Sequence, residues 1–171
     1  MASEKKIISY AQAGVIARKL HKQKKKIVFV VGSYDLPHGG HAYFFERAKE
    51  QGDVLFVSVG SNENIKALKG VHRPILDQKL RARGVAAFGA VDYVVIDNEK
   101  LFMPGKINFA KLIALIRPDV FAVNNTDSAI NEKRSFVRQF GSKLVLINVK
   151  KGPDISTTKI IDEVIKRHRA A

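Results

Sequence analysis

The feature that most constrains the fold of this 171-residue chain is an alternation of short, strongly apolar runs with segments of helical periodicity. The apolar runs are rich in valine, isoleucine and phenylalanine. Continuous runs of this kind are typical of strands that are covered on both faces of a sheet. The predicted strands are Ile27–Val31, Val54–Val59, Tyr93–Ile96, Val120–Val123 and Leu144–Val149.

The segments around these strands carry apolar residues at helical spacing, and several end at glycine or before proline. The predicted helices are Ile8–His21, Gly40–Gln51, Leu76–Phe88, Phe109–Ile116, Ser128–Phe140 and Thr157–Arg167. Strands that alternate with helices favour right-handed crossovers and parallel pairing. We therefore predict an α/β fold with a doubly wound, Rossmann-like parallel sheet of about five strands. The length suits a single domain, residues 1–171.

Composition excludes several classes of function. The chain has no cysteine, which rules out disulfides, thiol catalysis and cysteine metal sites. Its first residues lack the apolar stretch of a secretory signal, and its longest apolar runs are too short to span a bilayer. We therefore expect a cytoplasmic protein that does not associate with a membrane. The net charge of +14 attracts polyanions, but charge alone does not say which, and Lys22–Lys26 is interpreted as a solvated helix end and linker.

The segment that follows the first predicted strand has the composition of a phosphate cradle. It reads Gly-Ser-Tyr-Asp-Leu-Pro-His-Gly-Gly-His, and its end opens a predicted helix. Glycines let a backbone approach a ligand closely, and a helix start directs N–H groups and a positive dipole end at it. His38 and His41 add donors on one side. The alternatives are a glycine-rich loop with two surface histidines, or a zinc site, for which no third ligand is evident nearby.

Two further segments carry polar side chains suited to phosphates. The stretch Lys66–Pro74, interpreted as a loop after the second strand, contains Lys66, Lys69 and then Arg73. These cations could line a phosphate site or could be ordinary surface charges. Near the C-terminus, an Ile-Ser-Thr-Thr-Lys string opens the last predicted helix, where hydroxyls cap the helix and face outward. A well-capped helix without a ligand is the alternative.

The glycine-histidine segment resembles the G-x-F-D-x-x-H-x-G-H motif of cytidylyltransferase-like nucleotidyltransferases, with Tyr34 in place of the phenylalanine. The Ile-Ser-Thr-Thr-Lys string is similar to the second nucleotide-binding element of the same family. The lysine-glycine and arginine-proline pairs after the second strand make the pattern most similar to heptose-1-phosphate adenylyltransferases. We therefore expect a nucleotidyltransferase fold over residues 7–165, with both motifs on one polyphosphate.

The resemblance implies an enzyme that transfers a nucleoside monophosphate, with AMP favoured, to a small phosphorylated acceptor and releases pyrophosphate. ATP or CTP would be the donor, Mg²⁺ would bind through its phosphates, and the chain would form a homodimer. Catalytic roles are implied for His38, His41, Lys69 and Arg81. Nucleotide binding is implied for Gly32, Ser33, Tyr34, Asp35, Gly40, Ser156, Thr157, Thr158 and Lys159, and substrate binding for Lys66, Asn124 and Asp127.

Other interpretations stay open at this point. Asp35 either orients the loop as a turn residue or takes part electrostatically. After the fourth strand, the sequence has Asn124-Asn125-Thr126-Asp127 where the family usually has glycine and aspartate, so the identity of the acceptor stays open and an inactive nucleotide sensor is an alternative. Glycerol-3-phosphate cytidylyltransferases and FAD synthetases share the two motifs. A basic nucleic-acid-binding protein is the non-enzymatic alternative, although Phe44, Phe45 and Phe136 are interpreted as core positions.

Overall fold

The computed structural model describes residues 2–99 and 109–169 of the chain. The strands are β1 (Ile27–Gly32), β2 (Val54–Gly60), β3 (Tyr93–Asp97), β4 (Val120–Asn124) and β5 (Lys143–Ile147). The helices are α1 (Ser3–Lys6), α2 (Tyr10–Lys22), α3 (Gly39–Lys49), α4 (Asn62–Lys69), α5 (Gln78–Ala86), α6 (Ala110–Ile116), α7 (Ile130–Arg138) and α8 (Thr157–Arg169), with a 3₁₀ turn at Val149–Lys151.

The five strands form one sheet in the order β3-β2-β1-β4-β5, and every pair is parallel. This arrangement confirms the predicted doubly wound sheet. The chain moves outward from β1 to β3 and then returns to the other side of β1 for β4 and β5. A crevice opens at such a reversal, beyond the carboxyl ends of the two central strands. The segments that follow β1 and β4 therefore border one space.

Both faces of the sheet are covered, which explains the continuously apolar strand sequences. Alternate residues of β1 enter two separate cores. Val28 and Val30 pack on the face covered by α3 and α5. Ile27 and Phe29 pack on the opposite face, which is covered by α2, α6 and α7. The central strand is thereby held rigidly, and the loop that leaves it starts from a fixed point.

The N-terminal helix begins as its sequence suggests. Ser9 caps α2 by accepting a hydrogen bond from the backbone N–H of Gln12 at 3.2 Å, and the Gln12 side chain accepts one from the Ser9 N–H at 2.8 Å. This reciprocal pair satisfies two N–H groups that a helix end leaves free. Within the described ranges, none of the helices is long and apolar enough to cross a membrane.

Some predicted boundaries are wrong. Lys66 and Lys69 lie in the last turn of α4, not in a loop, and Ser61 caps this helix by accepting from the Asn64 N–H at 3.2 Å. The fifth strand ends at Ile147 because the Asn148 side chain starts the 3₁₀ turn. The predicted starts at Leu76 and Ser128 are each two residues early, since α5 begins at Gln78 and α7 at Ile130. That residues 1–171 form a single domain stays a prediction.

Candidate active site

The loop that leaves β1 turns sharply at Tyr34, which has a positive φ of 49°. The Tyr34 ring lies against Gly32, where a Cβ atom would come within 2.7 Å of it, so the position requires glycine. The ring is buried, and its centroid lies 5.3 Å from that of His41 and 5.1 Å from that of Phe45. Tyr34 thus fixes the loop against the first turns of α3.

The two histidines build the start of α3 together. His38 is the N-cap residue, and its Nδ1 accepts a hydrogen bond from the backbone N–H of Gly40 at 3.1 Å. The Nδ1 of His41 accepts one from the backbone N–H of His38 at 3.3 Å. Since both Nδ1 atoms are acceptors, each neutral ring carries its proton on Nε2. The two rings stack with centroids 3.9 Å apart, so the two imidazoles lie against each other at the start of α3.

The electrostatic surroundings keep these imidazoles neutral. Burial lowers the pKa of His38. Burial, followed by the nearby His38 and Lys69, lowers the pKa of His41 from its ordinary 6.5 to about 4. At neutral pH the pair therefore supplies hydrogen-bond donors without bringing two like charges together at the positive end of a helix.

Asp35 ties the loop to the segment before α5. Its side chain is fully buried, and its Oδ1 accepts from the backbone N–H groups of Ile75 at 2.8 Å and Leu76 at 3.0 Å. Its Oδ2 accepts from Nε of Arg73 at 2.5 Å. This geometry supports the interpretation of Asp35 as the residue that orients the loop.

Arg81 makes a second tie between the same two segments. It is fully buried, and its guanidinium donates from Nη1 to the carbonyl oxygen of Ser33 at 2.6 Å and from Nε to that of Leu76 at 2.9 Å. Its Nη2 donates to the Asn62 side-chain oxygen at 2.9 Å. All three guanidinium nitrogens thus donate to protein oxygens, and Arg81 holds the loop after β1 through the Ser33 carbonyl oxygen.

The C-terminal segment reaches the start of α3. A Cβ atom at Gly40 would lie 3.1 Å from the Ile155 side chain, and one at Gly152 would lie 2.5 Å from the Tyr43 ring. These close approaches show that the chain before α8 crosses directly over the first turns of α3. The Ser156 hydroxyl accepts from the Lys159 N–H at 3.2 Å, as expected for the cap of α8.

The segment after β4 forms a turn closed by its own side chains. The side-chain oxygen of Asn124 accepts from the N–H and the hydroxyl of Thr126, both at 2.6 Å. Asp127 accepts from the Ala129 N–H at 2.9 Å and forms an ion pair with Lys133. The carboxylate of Asp127 is therefore neutralised by the helix that follows the turn, α7.

All these segments border one cleft of about 930 Å³ at the carboxyl edge of β1 and β4. The predicted site residues that line it are Gly32, Ser33, Tyr34, Asp35, His38, Gly40, His41, Lys69, Asn124, Asp127, Ser156, Thr157 and Thr158. Lys66, Arg81 and Lys159 are not among its described lining residues. Lys159 instead pairs with Asp154 at 2.5 Å, and Lys66 lies exposed on α4. The cleft thus brings most of the predicted site together.

The cleft also contains residues that the sequence analysis did not assign. Tyr43 and Phe44 line it from α3, and Gly152 and Ile155 line it from the C-terminal segment. Gly152, shortly before the Ile-Ser-Thr-Thr-Lys string, is a sequence signal for close packing. The sequence does not show that Tyr43 is the residue it packs against, because that contact depends on the tertiary fold. Among the described residues, no group of three or more histidine, aspartate or glutamate side chains is arranged to hold a metal ion.

Comparisons with known proteins agree with this geometry. Residues 29–163 match the family model described as cytidylyltransferase-like. The chain is 41% identical over 118 residues to the bifunctional protein HldE of Nitratiruptor sp., a match covering 69% of this chain and 24% of that protein. It is 31% identical over 168 residues to the bifunctional protein HldE of Pelobacter propionicus, covering 97% and 32%. The match thus spans 24% to 32% of the length of these relatives.

A solved structure shares the fold. The lipopolysaccharide core biosynthesis protein from Thermoplasma volcanium superposes with a TM-score of 0.62 at 22% identity, covering 72% of this chain and 97% of that one. At this level of identity the likeness concerns the arrangement of the sheet and helices.

The state of His41 gives a testable pH dependence. Its pKa is about 4 in the folded chain and 6.5 in the unfolded chain, so the unfolded state binds the extra proton between these values. We expect the free energy of unfolding to decrease as the pH falls from about 6.5 towards 4. Long-range ¹H–¹⁵N NMR should show a neutral Nε2–H imidazole for His41 at pH 5. Urea unfolding of wild type and His41→Gln as a function of pH should isolate the contribution of His41 to the change in the free energy of unfolding. Titration of His41 near 6.5 would contradict the assignment.

Proposed function

Because this chain belongs to the cytidylyltransferase-like family of nucleotidyltransferases, as its two motifs predict, we propose that it transfers AMP from ATP to heptose 1-phosphate or a similar sugar phosphate. The relatives named HldE support this acceptor. So does the resemblance of the lysine-glycine and arginine-proline pairs to heptose-1-phosphate adenylyltransferases.

One observation carries the proposal. The histidine pair at the start of α3 and the hydroxyl-bearing residues at the start of α8, far apart in sequence, line the same cleft. That cleft lies at the carboxyl edge of a parallel sheet, where α/β enzymes bind nucleotides. Its volume of about 930 Å³ accommodates a nucleoside triphosphate together with a small acceptor.

The proposed reaction is an in-line displacement. An oxygen of the acceptor phosphate attacks the α-phosphorus of the nucleotide, the bond from that phosphorus to the bridging oxygen of the β-phosphate breaks, and pyrophosphate leaves. The acceptor is itself the nucleophile, so no covalent enzyme intermediate is required. Catalysis then consists of positioning the two phosphates and stabilising the charge that develops on them.

Each element of the cleft has a role in this step. The Nε2–H groups of His38 and His41 donate to phosphate oxygens as negative charge builds up. The main-chain N–H groups of Ser33 and Tyr34 hold the triphosphate. Ser156, Thr157 and Thr158 provide further donors from the start of α8, and Lys159 joins them when a phosphate replaces Asp154 as its partner.

The cationic side of the cleft compensates the charge of the substrates. Lys69 lines this side and neutralises a phosphate, while Arg81 keeps the loop in place through the Ser33 carbonyl. Mg²⁺ would enter on the oxygens of the nucleotide phosphates and would supply Lewis-acid stabilisation of the leaving group. This mode of binding fits the donor set, because the carboxylates among the described lining residues, Asp35, Asp127 and Asp154, each pair with a cation.

The choice of substrates is tested by pyrophosphate release. ATP and CTP are each combined with heptose 1-phosphate, glycerol 3-phosphate and FMN, and we expect ATP with heptose 1-phosphate to give the highest kcat/KM. A preference for CTP with glycerol 3-phosphate would establish the cytidylyltransferase alternative. Nucleotide binding without turnover of any pair would indicate a sensor. A salt-dependent mobility shift with RNA, without nucleotide binding, would indicate a nucleic-acid-binding protein.

His41→Ala tests the role of the donor pair. Removal of one donor that stabilises transition-state charge lowers kcat by on the order of 10²–10³-fold in comparable sites, and we expect a loss of that size here. His72→Ala is the matched control, because His72 is exposed and lies outside the described cleft lining. Normal turnover by folded His41→Ala would refute the assigned role.

We propose in addition that the chain forms a homodimer, as the resemblance implies. The apolar side chains of Val164 and Ile165 on α8 are 61% and 45% exposed and offer a surface for such a contact. Light scattering should give twice the chain mass of 19.0 kDa, and the mass of one chain would contradict this proposal. A cytoplasmic location stays a prediction.

A further inference from the structure

Arg73 lines the cleft, and its guanidinium is held by a buried carboxylate. Its Nε donates to the buried carboxylate of Asp35 at 2.5 Å, and only 16% of its side chain is exposed. No acceptor within residues 2–99 and 109–169 receives a hydrogen bond from its two terminal NH₂ groups. An arginine bound through Nε alone keeps the fork-shaped end of its guanidinium for another partner.

Both carboxylate oxygens of Asp35 are already engaged within the protein. Its two oxygens accept from Arg73 and from the backbone N–H groups of Ile75 and Leu76. The same two segments are joined again by Arg81, which binds the carbonyl oxygens of Ser33 and Leu76. The position of Arg73 is therefore set by a doubly tied loop rather than by a flexible surface chain.

The charges around Arg73 are incompletely balanced. Lys69 lines the same cleft, and its pKa is lowered first by burial and then by the positive charge of Arg73. Asp35 compensates one of these two cations, while the neighbouring imidazoles are neutral. An anion that contacted both side chains would relieve the repulsion between them.

We propose that Arg73 is a phosphate-binding residue of the cleft, held in place by Asp35 as a positioning residue. This inference rests on the proposed function for the identity of the phosphate. The phosphate belongs either to the pyrophosphate leaving group or to the monoester of the acceptor, since both present the same oxygens to the guanidinium. Preorganisation by Asp35 means that little conformational entropy is lost when the phosphate binds.

Binding without turnover tests this proposal. Calorimetry measures the Kd of the full chain for inorganic pyrophosphate and, separately, for heptose 1-phosphate. We expect Arg73→Ala to weaken one of them by about 10- to 100-fold, the usual scale for a hydrogen bond to a charged group. A change for pyrophosphate alone assigns the leaving group, and a change for heptose 1-phosphate alone assigns the acceptor. Arg73→Lys, which keeps the charge, should recover part of the loss.

Two controls separate phosphate binding from a structural role. Arg83→Ala removes an exposed arginine that pairs with Glu4 outside the described cleft lining, and it should leave both affinities unchanged. If Asp35 acts through Arg73, Asp35→Asn should weaken the same ligand, and the double variant should bind no worse than Arg73→Ala. Melting temperatures and circular dichroism establish that each variant is folded, and Arg73→Gln replaces Arg73→Ala if the latter does not fold.

The proposal is overturned if folded Arg73 variants bind both ligands as well as Arg83→Ala does, or if the wild-type chain binds neither. Loss of binding in Arg73→Ala while the wild-type chain releases no pyrophosphate from any substrate pair would leave this inference standing and refute the proposed function. Normal affinities and normal pyrophosphate release in Arg73→Ala would refute this inference and leave the proposed function standing.

Discussion

The reversal of the chain between β1 and β4 is the constraint on which the site depends. Because β2 and β3 extend the sheet on one side of β1 and β4 and β5 on the other, the loops after the two central strands separate and leave a cleft. Burial of both faces of β1 in two cores fixes where the first loop starts. The close packing of that loop, including the contact of Tyr34 with Gly32, then determines where α3 and its histidines begin.

The distribution of charge follows from the same architecture. Three aspartates at the amino ends of the strands, Asp53, Asp92 and Asp119, accept hydrogen bonds from backbone N–H groups at 2.7 Å, at the edge of the sheet opposite the cleft. The carboxylates that line the cleft are each paired with a cation. Together with the net charge of +14, this pairing leaves little free negative charge among the described residues of the cleft, which favours the approach of a polyanionic substrate.

The sequence predicts secondary structure and local motifs well, but it does not predict which distant residues contact each other. Apolar runs identify all five strands because most strand positions face one of the two cores, although β2 includes the buried Ser58 and the edge strand β5 is partly exposed. Helix α4 escapes prediction because it is short and mostly polar, and it depends on the Ser61 cap and the burial of Ile65. Arg81 lies in the family position, but two of its three acceptors, on Ser33 and Asn62, come from distant segments, so no local pattern reveals that its guanidinium is fully engaged. The contact between Tyr43 and Gly152 is hidden for the same reason.

The departure after β4 matters less for the fold than for the chemistry of one cleft wall. Asn124 and Asp127 accept hydrogen bonds from backbone N–H groups of their own turn, and Asp127 pairs with Lys133 of α7, so the turn is closed without the glycine and aspartate usual in the family. This wall consequently presents amide and hydroxyl groups without a free carboxylate, and the cleft lining also includes the cations Lys69, Arg73 and Lys150. An acceptor with one phosphate and several hydroxyls matches such a lining, because its charge can meet a cation and its neutral polar groups can meet amides and hydroxyls. The altered segment is thus compatible with a sugar phosphate and does not by itself indicate a loss of activity.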